Sequence, residues 1–195
     1  AGRYRIVLLS PWDKRRGPPP TAPQGTDLVL DPSTLPAPLW IQVRLPTLLR
    51  RLGSPLLWSP TNTGPLAVRK QVVTIFDASV FAHPEWFSRS FRFYYRLLLP
   101  RLARRLARVV TISEFSRREL VRHGVAPADR IDVVPCGVSA AFHPGADSCD
   151  WLAKKPYVLA VGSRDPRKNL ATLLRAWALL PRGVASGLRL LVAGG

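Results

Sequence analysis

The sequence predicts an α/β protein in which parallel strands are covered by helices and the chain divides into two domains near residue 140. Three observations carry that prediction. Short runs rich in β-branched residues, such as "QVVTIFD", "RVVTIS" and "RIDVVP", alternate with segments of helical apolar spacing. A polar stretch from Cys136 to Lys155, interrupted by Pro and Gly and lacking any period, reads as an interdomain crossing. Beyond it, "YVLAVG", "NLATLLRAWALL" and "LRLLVAGG" repeat the strand–helix–strand order.

Taken in order, "YRIVLLS" reads as a buried strand, and the Pro/Gly/charge-rich "PWDKRRGPPPTAPQG" after it as a long mobile loop with nothing to pack. The apolar "DLVL" leads into Pro-rich sequence. "LWIQVRLPTLLRRLG" has helical spacing, with Pro46 permitting a break or kink and Gly53 as its stop. "SPLLWS" and "QVVTIFD" are further hydrophobic runs, the second with strand-forming composition. From Ser88 onward Phe91, Tyr94, Tyr95, Leu98, Leu102 and Leu106 recur at three- and four-residue steps. Arg92, Arg96, Arg101, Arg104, Arg105 and Arg108 take the other side, and Pro100 is expected to bend or divide the helix. Ser113 is placed to cap "EFSRRELVRHG" and Gly124 to end it. The expected organisation is a first domain over 1–139, a linker over 140–155 and a second domain beginning at 156–195. A lone β-α-β unit is small for a core of its own, so the second domain is expected to be truncated.

The formal net charge is +17, and only five of the 29 basic residues are lysine. Such a field attracts phosphates, nucleic acid and anionic lipid headgroups without choosing among them. An Arg-, Ala-, Leu- and Pro-rich composition also yields a basic surface that serves no partner. Hydrophobic residues at 47% exclude a disordered chain. Cys136 and Cys149 form neither a metal cluster nor a redox pair, which fits a reducing compartment. No secretory leader pattern and no uninterrupted apolar run of about 18 residues is present, so no transmembrane span is expected.

Ligands of open α/β sheets bind beyond the carboxyl ends of the strands. Three stretches qualify: "TIFDAS", "TISEFS" and "VGSRDPRKN". In the last, Gly162 allows close backbone approach, Ser163 follows it, Arg167 can grip a phosphate with two donors, and Lys168 adds a compact charge near a helix start. The glycine spacing matches neither a Walker loop nor a dinucleotide fingerprint. The competing reading leaves Arg164 and Arg167 in solvent around the Asp165-Pro166 turn. Asp77 could orient a sugar hydroxyl or simply hold a turn. His83 could contact a ligand or pack a loop, and His123 reads as a helix-end residue. No cluster of Asp, Glu and His suggests a metal, and no nucleophile elbow is present. For the arginine-rich helix, a solvated face ranks first, an anionic membrane surface second and nucleic acid third.

The series "VVTIFDASVFAHPEWFSRSFRFYYRLLLPRLARRLARVVTISEFSRRELVRHGVAPADRIDVVPCGV", followed by "PYVLAVGSRDPRKNLATLLRAWALL", resembles retaining glycosyltransferases of family 4. These have the GT-B architecture of two facing Rossmann-like domains and include many mannosyltransferases of cell-surface polysaccharide and lipid-linked sugar assembly. "LWIQVRLPTLLRRLGSPLLWSPTNTGPL" fits the same group, so the likeness covers about residues 38 to 195. It implies an acceptor-side N-terminal domain, and a nucleoside-diphosphate sugar held by the C-terminal one. Gly162 and Ser163 match the turn facing the diphosphate, and Arg167 and Lys168 the basic pair that neutralises it. Glu114 and Ser116 match the start of a helix near the cleft and are expected to be structural. The implied partners are a nucleotide sugar, linked to UDP or GDP, and a saccharide or lipid-linked acceptor. No metal or other cofactor is implied. The implied location is cytoplasmic, with peripheral contact at the inner face of an anionic membrane open to it. Nucleic acid is disfavoured as a partner.

Two departures stand out. Family members commonly read "TIHD" where this chain has Thr74-Ile75-Phe76-Asp77, so the histidine near the transferred sugar is Phe76, which can neither donate a hydrogen bond nor share a proton. Asp77 is then the catalytic candidate left at that strand end. Cys136 and Ser139 replace the amide and carboxylate of the frequent "VPNGVD". The family's pair of glutamates, which contact the donor, is expected beyond Gly195, and the 195-residue chain is therefore expected to be inactive alone. A catalytically lapsed, nucleotide- or partner-binding relative and a basic nucleic-acid-binding module are the alternatives.

Overall fold

The computed structural model describes residues 4–13, 15, 17–143, 156–163 and 165–194. The chain forms two compact units, Ala1–Pro135 and Cys136–Gly195. Both are Rossmann-like α/β units with parallel sheets. Most of the expected linker, 144–155, lies outside the described residues, as do Lys14 and Arg16 in the first long loop, Cys149 and Arg164.

In the first unit, β1 (Ile6–Pro11) and β2 (Thr26–Asp31) pair in parallel, Ile6 opposite Thr26 through Pro11 opposite Asp31. Strand β1 is not buried on both faces as "YRIVLLS" suggested: Ile6 and Leu8 are exposed. With β2 as its one partner among the described residues it is an edge, and the hydrophobic run shields only one side.

A continuous helical segment follows, in which α1 (Ala37–Leu39) passes through a π turn at Trp40–Arg44 into α2 (Leu45–Arg51). The expected break at Pro46 takes this form. Pro46 offers no N–H to the ladder, and the chain widens just before it, with Leu45 N–H reaching back to the Trp40 carbonyl. Trp40, Leu45 and Leu49 are buried among Leu9, Ile41, Leu48, Leu57 and Val68. Asp31 is buried beneath this helix, accepting from Trp40 Nε1 at 2.8 Å and from Arg44 Nη2 at 2.5 Å. Hydrogen bonds from that guanidinium, helped by the indole, hold the Asp31 carboxyl below the usual carboxylate range although burial pushes it up.

The main sheet runs β3 (Leu57–Ser59), β4 (Gln71–Thr74), β5 (Arg108–Thr111) and β6 (Ile131–Val133), all parallel and in sequence order. After the short α3 (Ser79–Ala82), helix α4 (Arg89–Ala103) joins β4 to β5, capped by Ser88 Oγ, which accepts from Phe91 N–H. Pro100 does not divide α4, which runs unbroken to Ala103. Leu99, Leu102 and Ala103 join Val73, Ile75 and Val109 in the core, so α4 presses its apolar side on the sheet. Helix α5 (Glu114–Arg122) starts at the expected cap, with Ser113 Oγ accepting from Ser116 N–H at 3.1 Å, and stops at Gly124 with φ +64°.

In the second unit, β7 (Tyr157–Val161) and β8 (Arg189–Ala193) pair in parallel, joined through helices Leu170–Ala178 and Arg182–Gly187. Val158, Leu159, Leu174 and Leu179 are exposed, because two strands and two short helices have too little surface to cover one another.

Candidate functional site

Two strand-end regions hold the residues singled out from the sequence, one in each unit. In the first, β4 ends at Thr74, and Ile75 continues the pairing through its N–H to the Val110 carbonyl. Phe76 is then fixed at both backbone groups. Its N–H donates to Asn62 Oδ1 at 2.8 Å, and its carbonyl accepts from Thr111 Oγ1 at 3.4 Å. Asn62 sits at φ +34°, and its own N–H donates to the Thr74 carbonyl at 2.9 Å. The loop carrying it is held from behind by two amides. Gln42 donates to the Gly64 carbonyl and accepts from Leu66 N–H, and Gln71 donates to the carbonyls of Pro65 and Val68.

Asp77 Oδ1 accepts from the N–H of Ser79 at 2.8 Å and from its hydroxyl, at the first residue of α3. His83 packs a loop, its ring stacked on Trp86 at 3.9 Å with Glu85 beside it. His123 lies against Glu119 at the end of α5. Glu114 pairs loosely with Arg117, and Ser116 is buried, as structural helix-start residues would be.

In the second unit the strand ends approach each other closely. Gly162 N–H donates to the Ala193 carbonyl at 2.9 Å, and Gly194 adopts φ +125°. A Cβ on Gly194 would stand 2.4 Å from the Gly162 carbonyl oxygen, so only a glycine lets the two loops meet. A Cβ on Gly162 would lie 3.2 Å from Lys168 Cγ, which places the lysine stem directly over this turn. Ser163 follows, half-buried.

A 3-10 turn at Pro166–Lys168 is capped by Asp165, whose Oδ1 accepts from Arg167 N–H at 2.9 Å. The Arg167 guanidinium returns to the same carboxylate, Nε to Oδ1 and Nη2 to Oδ2, both at 3.0 Å. These bonds hold the Asp165 carboxyl below its ordinary range. Asn169, at φ +49°, turns the chain into helix Leu170–Ala178. Gly162 and Lys168 are thus brought together, and Arg167 is turned onto Asp165. The Lys168 N–H donates to the Asp165 carbonyl at 2.9 Å, while its ammonium makes no hydrogen bond or ion pair among the described residues. Around a diphosphate this turn would offer one uncommitted ammonium, backbone N–H groups and a guanidinium held in reserve.

The model of Glycosyltransferase Family 4 matches residues 2–142. The chain belongs to glycosyltransferase family 4. Among curated relatives, O-antigen chain mannosyltransferase B of Escherichia coli is 31% identical over 137 residues, 67% of this chain and 36% of that protein. O-antigen chain mannosyltransferase RfbU of Salmonella typhimurium is 25% identical over 139 residues, 70% of this chain and 36% of that protein. The chain spans about a third of the length of these relatives.

Two parts of this family 4 chain escaped the sequence reading. One is Asn62 with Thr111, which locks the Phe76 backbone. The signal was an Asn two residues before Gly64 between two strand-like runs, a composition that favours positive φ. The other is the two-point hold of Asp165 on Arg167. Asp-Pro announces a turn, but nothing local says that the carboxylate will also take the guanidinium. No group of three or more potential metal ligands occurs among the described residues. No helix among them is long and apolar enough to cross a membrane.

Proposed function

We propose that the protein transfers a sugar, with mannose the first choice, from a nucleoside-diphosphate donor to a saccharide or lipid-linked acceptor with retention of anomeric configuration. The observation that carries this reading is the family 4 match over residues 2–142, joined by relatives titled as mannosyltransferases. In the reaction, the bond from the anomeric carbon to the phosphate oxygen breaks. The acceptor oxygen takes its place on the same face, and the acceptor proton leaves with the nucleoside diphosphate. Lys168 and the backbone at Gly162 and Ser163 are assigned to the diphosphate, where positive charge stabilises the departing group as negative charge builds on it. The first unit is assigned to the acceptor.

The test is turnover by the full-length protein against a panel of GDP- and UDP-linked sugars with saccharide and lipid-linked acceptors. Release of one nucleoside diphosphate together with a glycosylated acceptor is expected. No release from any donor across a broad panel would overturn the reading.

A second reading, a lapsed enzyme that still binds a nucleotide or a protein partner, is favoured by one observation. Phe76 offers no hydrogen bond at the position where family members commonly carry histidine. Its backbone is fixed by Asn62 and Thr111, so Phe76→His changes the side chain in an unchanged frame. Turnover by the unmodified protein eliminates the lapsed reading. Nucleotide binding without turnover, with activity gained by Phe76→His, establishes it.

A further inference from the structure

We propose that a recess beside α2, at the end of the main sheet where β3 and β4 begin, docks an acidic peptide segment of a partner protein that inserts one apolar side chain. Pro46 and Leu49 of α2, both buried, and half-buried Val68 from the loop before β4 line a space of about 260 Å³. Its rim carries Arg50, Arg69 and Lys70, all exposed. None of these three cations makes an ion pair among the described residues, and no described lining residue is acidic. The walls are held in place. Gln71, fully buried, donates to the carbonyls of Pro65 and Val68, and Leu57 N–H donates to the Lys70 carbonyl at 3.1 Å. Ser54 N–H donates to the Leu49 carbonyl at 2.8 Å and closes the end of α2.

The space is smaller than the roughly 300–1,000 Å³ of pockets that enclose a whole small molecule, and it suits a single large apolar side chain. A bilayer meets flat or convex faces, whereas a recess walled by α2 and two loops takes an anchor projecting from a chain. Three unneutralised cations around that anchor complement carboxylates flanking it in the partner. The C-terminal end of α2 opposes an anion with about half a charge, against the three full charges of the rim. The four residues of β4, about 13 Å, separate the recess from Phe76 and Asp77 at the other end of the strand. A docked partner therefore leaves that strand end open.

The test is NMR titration of the full chain with the end-blocked peptide EDFDE, read on the methyl signals of Leu49 and Val68. Saturable shifts of those signals are expected. EDSDE, which lacks the anchor, and QNFNQ, which lacks the charge, are each expected to bind about 10-fold more weakly. In the protein, R50Q/R69Q/K70Q is expected to cost about 10-fold. A67F, which fills the recess from an exposed position, is expected to cost about 10-fold as well. R118Q/R130Q/R175Q removes the same charge elsewhere and is expected to cost far less than R50Q/R69Q/K70Q. Equal losses in the two triples would show general charge attraction and overturn the proposal. EDSDE binding as tightly as EDFDE would overturn it, as would unmoved Leu49 and Val68 signals at millimolar EDFDE. Displacement of the peptide by anionic vesicles or duplex DNA at equal charge concentration would do the same. A dimer of the unmodified chain that A67F dissociates would give the recess to a second copy and overturn it too. Peptide docking is read without sugar transfer, so it can fail while the proposed reaction stands.

Discussion

Replacing Lys168, Arg167 and Asp165 one at a time separates the two charges of the second unit's strand-end turn. Lys168 is exposed, stacked by its stem over Gly162 and free of an ion pair among the described residues. A charge-assisted hydrogen bond contributes about 1.5–3 kcal/mol, and solvent exposure puts this one at the lower end. K168A is therefore expected to weaken UDP or GDP binding about 10-fold. Arg167 must first leave Asp165, surrendering two hydrogen bonds of 3.0 Å, so its net contribution is smaller and R167A is expected to cost about 3-fold. D165N keeps an oxygen to cap the Arg167 N–H yet removes the anion. It is expected to tighten binding about 3-fold or more by releasing the guanidinium and lifting like-charge repulsion. Calorimetric titration of the four proteins with UDP and with GDP measures the series. A larger loss in R167A than in K168A, with D165N unchanged, would refute the reasoning, because Arg167 would then be the working cation despite its carboxylate.

Three further outcomes follow from packing and charge. Gly194→Ala forces a Cβ to 2.4 Å from the Gly162 carbonyl oxygen at a φ of +125°, whereas Gly162→Ala meets only the flexible Lys168 stem at 3.2 Å; hydrogen exchange of the loop amides should rise strongly in the first and little in the second. Leu102→Ala in α4 empties a fully buried core position and should destabilise the first unit by about 2–5 kcal/mol in denaturant titration. R44M strands the buried Asp31 carboxylate beneath Trp40 and should lower stability at neutral pH. Because Arg44 lowers the Asp31 pKa, the stability it provides is present above the unfolded carboxylate pKa and disappears as pH falls through the folded one. The difference between R44M and the unmodified protein should narrow through that acid window, and a difference independent of pH would refute the assignment.

The elements were legible in the sequence because hydrophobic periodicity and capping are local. β4, β5, β6, α4, α5 and the β7–helix–β8 unit all stand where apolar spacing, Ser88, Ser113 and Gly124 placed them. What escaped depends on neighbours. "YRIVLLS" has the composition of a buried strand, but burial is set by how many strands flank it, and β1 has one among the described residues. Pro46 announced a disturbance without saying that a π turn would absorb it, and Pro100 disturbed nothing that ends the helix. Near the last turn of α4 the rest of the ladder and core contacts outweigh one missing N–H.

The same distinction governs the candidate site. Gly162 and Asn169 belong to backbone geometry, which residue type restricts strongly, and both occupy turns that their types permit. The allocation of charge is different. Arg167 and Lys168 are adjacent and equally basic in the sequence, yet a carboxylate two residues upstream takes one and leaves the other. With Asp165 and Arg167 cancelling, Lys168 carries the net charge of the turn among the described residues, less than the charge of a diphosphate. On the proposed donor assignment, binding there either breaks the Asp165–Arg167 pair or draws on other donors, helix N–H groups among them. If it breaks the pair, binding draws the guanidinium from its carboxylate, and the Asp165 pKa should rise when UDP or GDP is added. Carboxyl chemical shifts followed by NMR through the acid range, with and without nucleotide, would show it. An Asp165 titration unmoved by saturating nucleotide would mean that Arg167 never leaves the pair and that other donors supply the balance.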